Sequence, residues 1–311
     1  DGQIFKTTDG GQNWKRLTEG LPSDSLNGRI AIAIAESEPN ILYARYIRTH
    51  MCGRNVTNNL YEIYKSSDGG EHWIDLDAVG PNTGLDCDVT GGFGWYFGNI
   101  SVNPKNPDDL FVLAVDLFRS HDGGKTWEPA APDWSGYEVH ADKHELVYLK
   151  NGNLLLGTDG GLYEYNSSAD EWEDIENIPT NQMYRVAYNP NEPTLYYGGA
   201  QDNGSTGGNS NSITEWERIF GGDGFQMAFK TSDPLIYYAE YQNGNIWQYY
   251  NGDWRPFTQG LGGNKNWDFP YMISRHDDSK LLAGSTSVFF NQSDTIADWK
   301  SVSPVLVNNG P

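Results

Sequence analysis

The chain of 311 residues carries 21 Lys and Arg against 42 Asp and Glu, a formal net charge of −21. Aromatic residues make up 14% and charged residues only 20%, which is not the balance of an acidic disordered chain. The charge argues against a nucleic-acid partner or an anionic membrane surface, and no apolar run reaches the roughly 18 residues of a membrane-spanning helix.

Taken in chain order, the elements repeat. Ile4–Thr8 reads as a strand that runs into Asp9-Gly10-Gly11 and then Trp14. The next unit supplies four strands, Arg29–Ala35, Ile41–Tyr46, Tyr61–Ser66 and Trp73–Leu76, with Asp68-Gly69-Gly70 before Trp73. A third copy places Asp122-Gly123-Gly124 before Trp127, and weaker copies keep only the Trp, at 172, 216, 254 and 299. Successive Trp gaps are 59, 54, 45, 44, 38 and 45, which makes seven units with two early insertions. A period of about 40–45 residues with several short strands per unit marks a β-propeller blade. The expected fold is therefore all-β, a seven-bladed β-propeller occupying residues 1–311 as a single domain. The chain begins at a third strand and ends just after a fourth, Trp299–Val302, so the first blade is expected to be incomplete and the chain to be a fragment of a longer protein.

The Asp-Gly-Gly turns have a mechanical reading. The carboxylates of Asp9, Asp68 and Asp122 are expected to accept from backbone N–H groups of their own turns, with Gly supplying positive φ. Trp14, Trp73 and Trp127 are expected to tuck between neighbouring sheets. In an up-and-down blade these turns lie on one face. The loops joining second to third strands, and one blade to the next, lie on the other. That second face holds both insertions, read as long loops at Ile47–Leu60 and Asp77–Trp95. Cys52 sits in one and Cys87 in the other, and a disulfide between them is the expectation, with two free thiols the alternative.

The motif S/T-x-D-G-G-x-x-W resembles the Asp-box (BNR) repeat shared by sialidases, xyloglucanases and sortilin-type Vps10 domains. Stretches such as Gly28–Arg45, Leu156–Glu164, Asn181–Ser205 and Gly221–Gln248 resemble large secreted bacterial proteins of the sortilin/Vps10-like, BNR-repeat glycosyl hydrolase family. This resemblance implies an exported or cell-surface propeller that binds glycan or protein, possessing in some relatives a second propeller.

On the loop-rich face the candidate ligand-binding residues are Trp95, Tyr96, Trp134, Tyr137, His140, Asp159, Asp202, Trp267 and Asp268. Aromatic rings offer flat apolar faces to sugars, and carboxylates accept from hydroxyls. His140-Ala141-Asp142-Lys143-His144 is read as the start of a strand, so alternation places His140, Asp142 and His144 on one side. There they form either a divalent-metal set or a hydrogen-bond relay. Asp202-Asn203-Gly204 and Gly222-Asp223-Gly224 are read either as oxygen ligands for Ca²⁺ or as plain turns. For a glycoside hydrolase the candidate carboxylates are Asp142 and Asp223, with Asp202 third. A sialidase would need three convergent arginines, for which Arg29, Arg185 and Arg275 are available.

Overall fold

A computed structural model describes residues 2–22, 25–136, 138–176, 178, 181–209, 211 and 215–307. Among them the chain forms seven antiparallel meander sheets, six of four strands and one of two. Blade 1 has only Phe5–Lys6 and Lys15–Arg16. Blade 2 comprises Asn27–Ile34, Leu42–Cys52, Asn55–Ser66 and Ile74–Asp75. Blade 3 follows at Ile100–Asn103, Asn106–Leu113, Leu117–Ser120 and Glu128–Pro129. Blade 4 spans Lys143–Tyr148 to Glu171–Asp174, and blade 5 Arg185–Asn189 to Glu217–Phe220. Blades 6 and 7 run from Met227–Phe229 to Asp253–Pro256 and from Tyr271–Ile273 to Lys300–Ser301. These are the blades of a β-propeller. The chain divides into two compact units, residues 1–176 with blades 1 to 4 and residues 177–311 with blades 5 to 7.

Period-2 patterning builds each core between successive sheets. In the first unit Tyr43, Ile47 and Ile63 of blade 2 pack with Ile100, Leu110 and Val112 of blade 3. In the second, Tyr238 and Ile246 of blade 6 pack with Tyr271, Leu281 and Phe289 of blade 7.

The three Asp-Gly-Gly turns are one structure built three times. Asp68 Oδ1 accepts from the N–H groups of Glu71 and His72 and from Ser66 Oγ, at 2.9–3.0 Å. Asp122 does the same for Lys125, Thr126 and Ser120. Gly69 and Gly70 hold φ of 74° and 91°, which Cβ-bearing residues rarely adopt. Trp73 and Trp127 then close the turn, each indole N–H donating to a Gly carbonyl with its ring buried. Trp14 makes the same bond to Gly11, but its ring is 61% exposed and does not tuck between sheets as its motif suggests.

A second repeated device was not evident from the motif. Gly20, Gly84 and Gly260, each followed by a buried Leu, have φ of 80°, 82° and 87°. Each lies against the main chain of the next blade's Trp, so that a Cβ would come within 1.8, 2.0 or 2.4 Å of the carbonyl oxygen of Trp73, Trp127 or Trp299. The residue before each Gly accepts the N–H of that same Trp, at 2.7–3.0 Å. The Gly-Leu pair therefore clips one blade to the outer strand of the next.

The insertion Ile47–Leu60 is not a loop. It extends the second and third strands of blade 2 into a long hairpin, in register from Ile47 opposite Leu60 to Cys52 opposite Asn55, and turns at Gly53-Arg54. Its β-branched and alternating residues carry the ladder outward. Cys52 at the tip is disulfide-bonded to Cys87, with Cα atoms 5.9 Å apart. Leu60 N–H also donates to Cys87 O and Gly94 N–H to Asn58 O, so the following loop is laid along the hairpin.

Candidate functional site

In the first unit the hairpin and disulfide hold the loop that presents Trp95 and Tyr96, 61% and 48% exposed. Their rings lie 5.7 Å apart, and Tyr96 meets the edge of His144 at 5.3 Å. His144 Nε2 pairs with Asp159 Oδ1 at 2.5 Å. Asn99 fixes this arrangement by donating to the His144 carbonyl at 3.0 Å.

Asp142 stands beside the pair. Its backbone has φ of 61°, and its N–H donates to Val115 O. Burial, and then the charge of Asp159, push its carboxyl above the usual range. Trp134, exposed on a short 3₁₀ turn, is anchored by its N–H to Asp116 Oδ1. Tyr137 lies outside the described residues.

The alternation expected of His140, Asp142 and His144 fails. The strand begins only at Lys143, Asp142 is left-handed, and a bulge separates Lys143 from Glu145. The two histidines consequently part company. The His140 ring lies over Gly160, where a Cβ would come within 2.2 Å of it, while His144 engages Asp159. Among the described residues these three do not gather as metal ligands. The carboxylates that do converge, within 4.8 Å, are Glu62, Asp75 and Asp77 of blade 2. Burial pushes Glu62 up to about 7, although it accepts the N–H groups of Ile63 and Ala78.

In the second unit Trp267 packs its ring edge-on to Phe225 at 5.9 Å and stays 40% exposed. Its neighbour Asp268 is held by Arg185, Nε at 3.3 Å and Nη2 at 2.5 Å. This pairing engages Arg185, one of the three arginines a sialidase would aim at its substrate. Asp223 is buried, and its carboxylate accepts the backbone N–H of Asp202 at 2.8 Å, so it braces two loops. That contact joins the two turns read as Asp202-Asn203-Gly204 and Gly222-Asp223-Gly224. Asp142 and Asp223 belong to different units; the carboxylate that acts on Asp142 within its own unit is Asp159.

Sequence reasoning missed Glu240. It lies on the second strand of blade 6, fully buried, with neither oxygen in a well-formed hydrogen bond among the described residues. Burial, then Asp268, raise its carboxyl from an ordinary 4.5 to about 9. Because the folded-state value is raised, the group's stability contribution is complete below about pH 4.5 and is lost as pH climbs towards 9. Glu240→Gln is therefore expected to stabilise the protein at pH 7, by on the order of 3 kcal/mol, with little difference at pH 4. Thermal midpoints at the two pH values check this; an equal shift at both would exclude titration as the cause.

Meander sheets joined by inter-blade clips define a β-propeller. No family model matches the chain. It is similar to xyloglucanase Xgh74A of Acetivibrio thermocellus, 25% identical over 204 residues, 57% of this chain and 23% of the relative. It is also similar to photosystem II assembly lipoprotein Ycf48 of Nostoc sp., 27% identical over 187 residues, 54% of this chain and 53% of the relative. The chain thus spans about a quarter of the first relative and about half of the second. Among solved structures, PorZ of Porphyromonas gingivalis superposes with a TM-score of 0.43 at 13% identity, covering 97% of this chain and 39% of that one.

Proposed function

We propose that this is an exported propeller of the Asp-box, sortilin-like kind that binds carbohydrate on the loop-rich face of its first unit. The observation that carries the reading is the Trp95–Tyr96 shelf standing exposed against the His144–Asp159 pair. Flat rings take the apolar face of a sugar while the pair meets its hydroxyls. The Cys52–Cys87 bond supports export, since disulfides persist in oxidising compartments. A further propeller in a longer chain fits the part-length match to the xyloglucanase.

A glycan array is the direct test. Trp95→Ala and Asp159→Asn are expected to weaken binding at least tenfold, with thermal stability within about 1–2 kcal/mol of the parent. Retention of binding by both variants would remove this face from the function.

A second reading, glycoside hydrolysis, has one specific support: Asp142, whose carboxyl is raised above the usual range by burial and then by Asp159, stands beside that second carboxylate. A pair of neighbouring carboxylates is what acid–base cleavage of a glycosidic bond uses. Hydrolysis of xyloglucan that Asp142→Asn abolishes would favour it over binding alone.

A further inference from the structure

Arg45 lies on the second strand of blade 2, with no exposed surface. An arginine keeps its charge even when buried, and a buried charge without a counter-charge is costly. In a chain with twice as many acidic as basic residues, a carboxylate partner would be the expected remedy. Among the described residues none pairs with Arg45. Nη1 makes one long contact, 3.4 Å to Leu113 O, and Nε and Nη2 have no hydrogen-bond partner.

Those two atoms form one edge of the guanidinium, the edge that matches the two oxygens of a carboxylate. The same edge is in use elsewhere in this chain. Arg119 gives Nε and Nη2 to Asp109 at 2.8 and 3.0 Å, and Arg185 gives them to Asp268.

We infer that Arg45, with Arg29 beside it, receives the carboxylate of an acidic sugar residue whose ring rests on Trp95 and Tyr96. Burial, and then the repulsion of nearby Arg29, bring the Arg45 guanidinium down to about 9. Arg29 is exposed, and it donates to the Tyr96 carbonyl, so it ties the aromatic shelf to the same place. The backbone at Gly98 lies over the guanidinium: a Cβ there would come within 1.9 Å of Nη1. Loading therefore requires the 94–99 segment to lift, and the incoming carboxylate would draw Arg29 from Tyr96 as it enters. The inference rests on the carbohydrate reading and narrows it to acidic sugars.

Calorimetric titration of the whole chain with digalacturonate and with neutral galactobiose is the test. The acidic disaccharide is expected to bind at least tenfold tighter. Arg45→Met is expected to bring it to the level of the neutral one with an unchanged circular dichroism spectrum. Should Arg45→Met fail to fold, Arg29→Gln, an exposed change, decides by weakening the acidic disaccharide several-fold. Equal binding of both disaccharides, or wild-type binding by the arginine variants, overturns the carboxylate site. If Trp95→Ala still removes both sugars in that case, the broader carbohydrate reading survives. Binding of an acidic peptide with no sugar binding at all would sink both.

Discussion

Trp73→Ala and Trp127→Ala are each expected to lower the unfolding free energy by about 3–5 kcal/mol, while Trp14→Ala should cost less than about 1 kcal/mol. The three residues occupy the same motif, so the difference isolates packing from turn chemistry. Trp73 is buried with Ile4, Leu17 and Leu21, its indole N–H bonded to Gly70 O and its amide to Glu19 O. Trp127 is placed alike, among Leu85, Ile100 and Leu110. Trp14 keeps the indole bond but leaves most of its ring in water. Urea unfolding followed by far-ultraviolet circular dichroism reads the series without depending on the indoles. Equal losses at all three positions would mean that the turn, not the buried ring, is what these residues stabilise.

Opening the Cys52–Cys87 bond, by Ser at both positions, is expected to cost about 4 kcal/mol for a closed loop of this size. The bond spans 35 residues of sequence and fastens the hairpin tip to the loop that carries Trp95. The loss should vanish when wild type and variant are compared in reducing agent. Ligand affinity should fall together with stability in the variant, because the aromatic shelf loses its tether. Identical urea midpoints under oxidising conditions would show that the backbone bonds from Leu60 and Gly94 suffice to hold the loop.

The blades were legible because a buried ring and a tight turn recur at fixed spacing: Trp73, Trp127 and Trp299 count units as reliably as the strands do. The candidate site was legible only in its membership. Trp95, Tyr96, Asp142, His144 and Asp159 were each nameable from aromatic and acidic loop chemistry, but their arrangement depends on two local events that alternation does not encode, the left-handed Asp142 and the bulge after Lys143. The hairpin at Ile47–Leu60 was misread as a loop because its polar residues mask a ladder stabilised from both ends. Arg45 and Glu240 were invisible for a different reason. Charged residues on a strand ordinarily face water, and only the packing of the neighbouring blade buries these two.

The two aromatic–acidic segments share a position. Trp95 follows Gly84-Leu85, and Trp267-Asp268 follows Gly260-Leu261. Up to the Gly-Leu pair, the inter-blade connection is committed to the scaffold, because its backbone is wedged against a Trp main chain where no side chain fits. Beyond the pair the connection turns outward and carries the exposed rings, Trp95 and Tyr96 in one case and Trp267 in the other. It stays fastened between them, by Cys87 to the hairpin, by Gly98 against Arg45 and by Asp268 to Arg185. Each connection is thus an alternation of anchors and display positions, so a change of recognition belongs at the exposed rings, with the anchors kept.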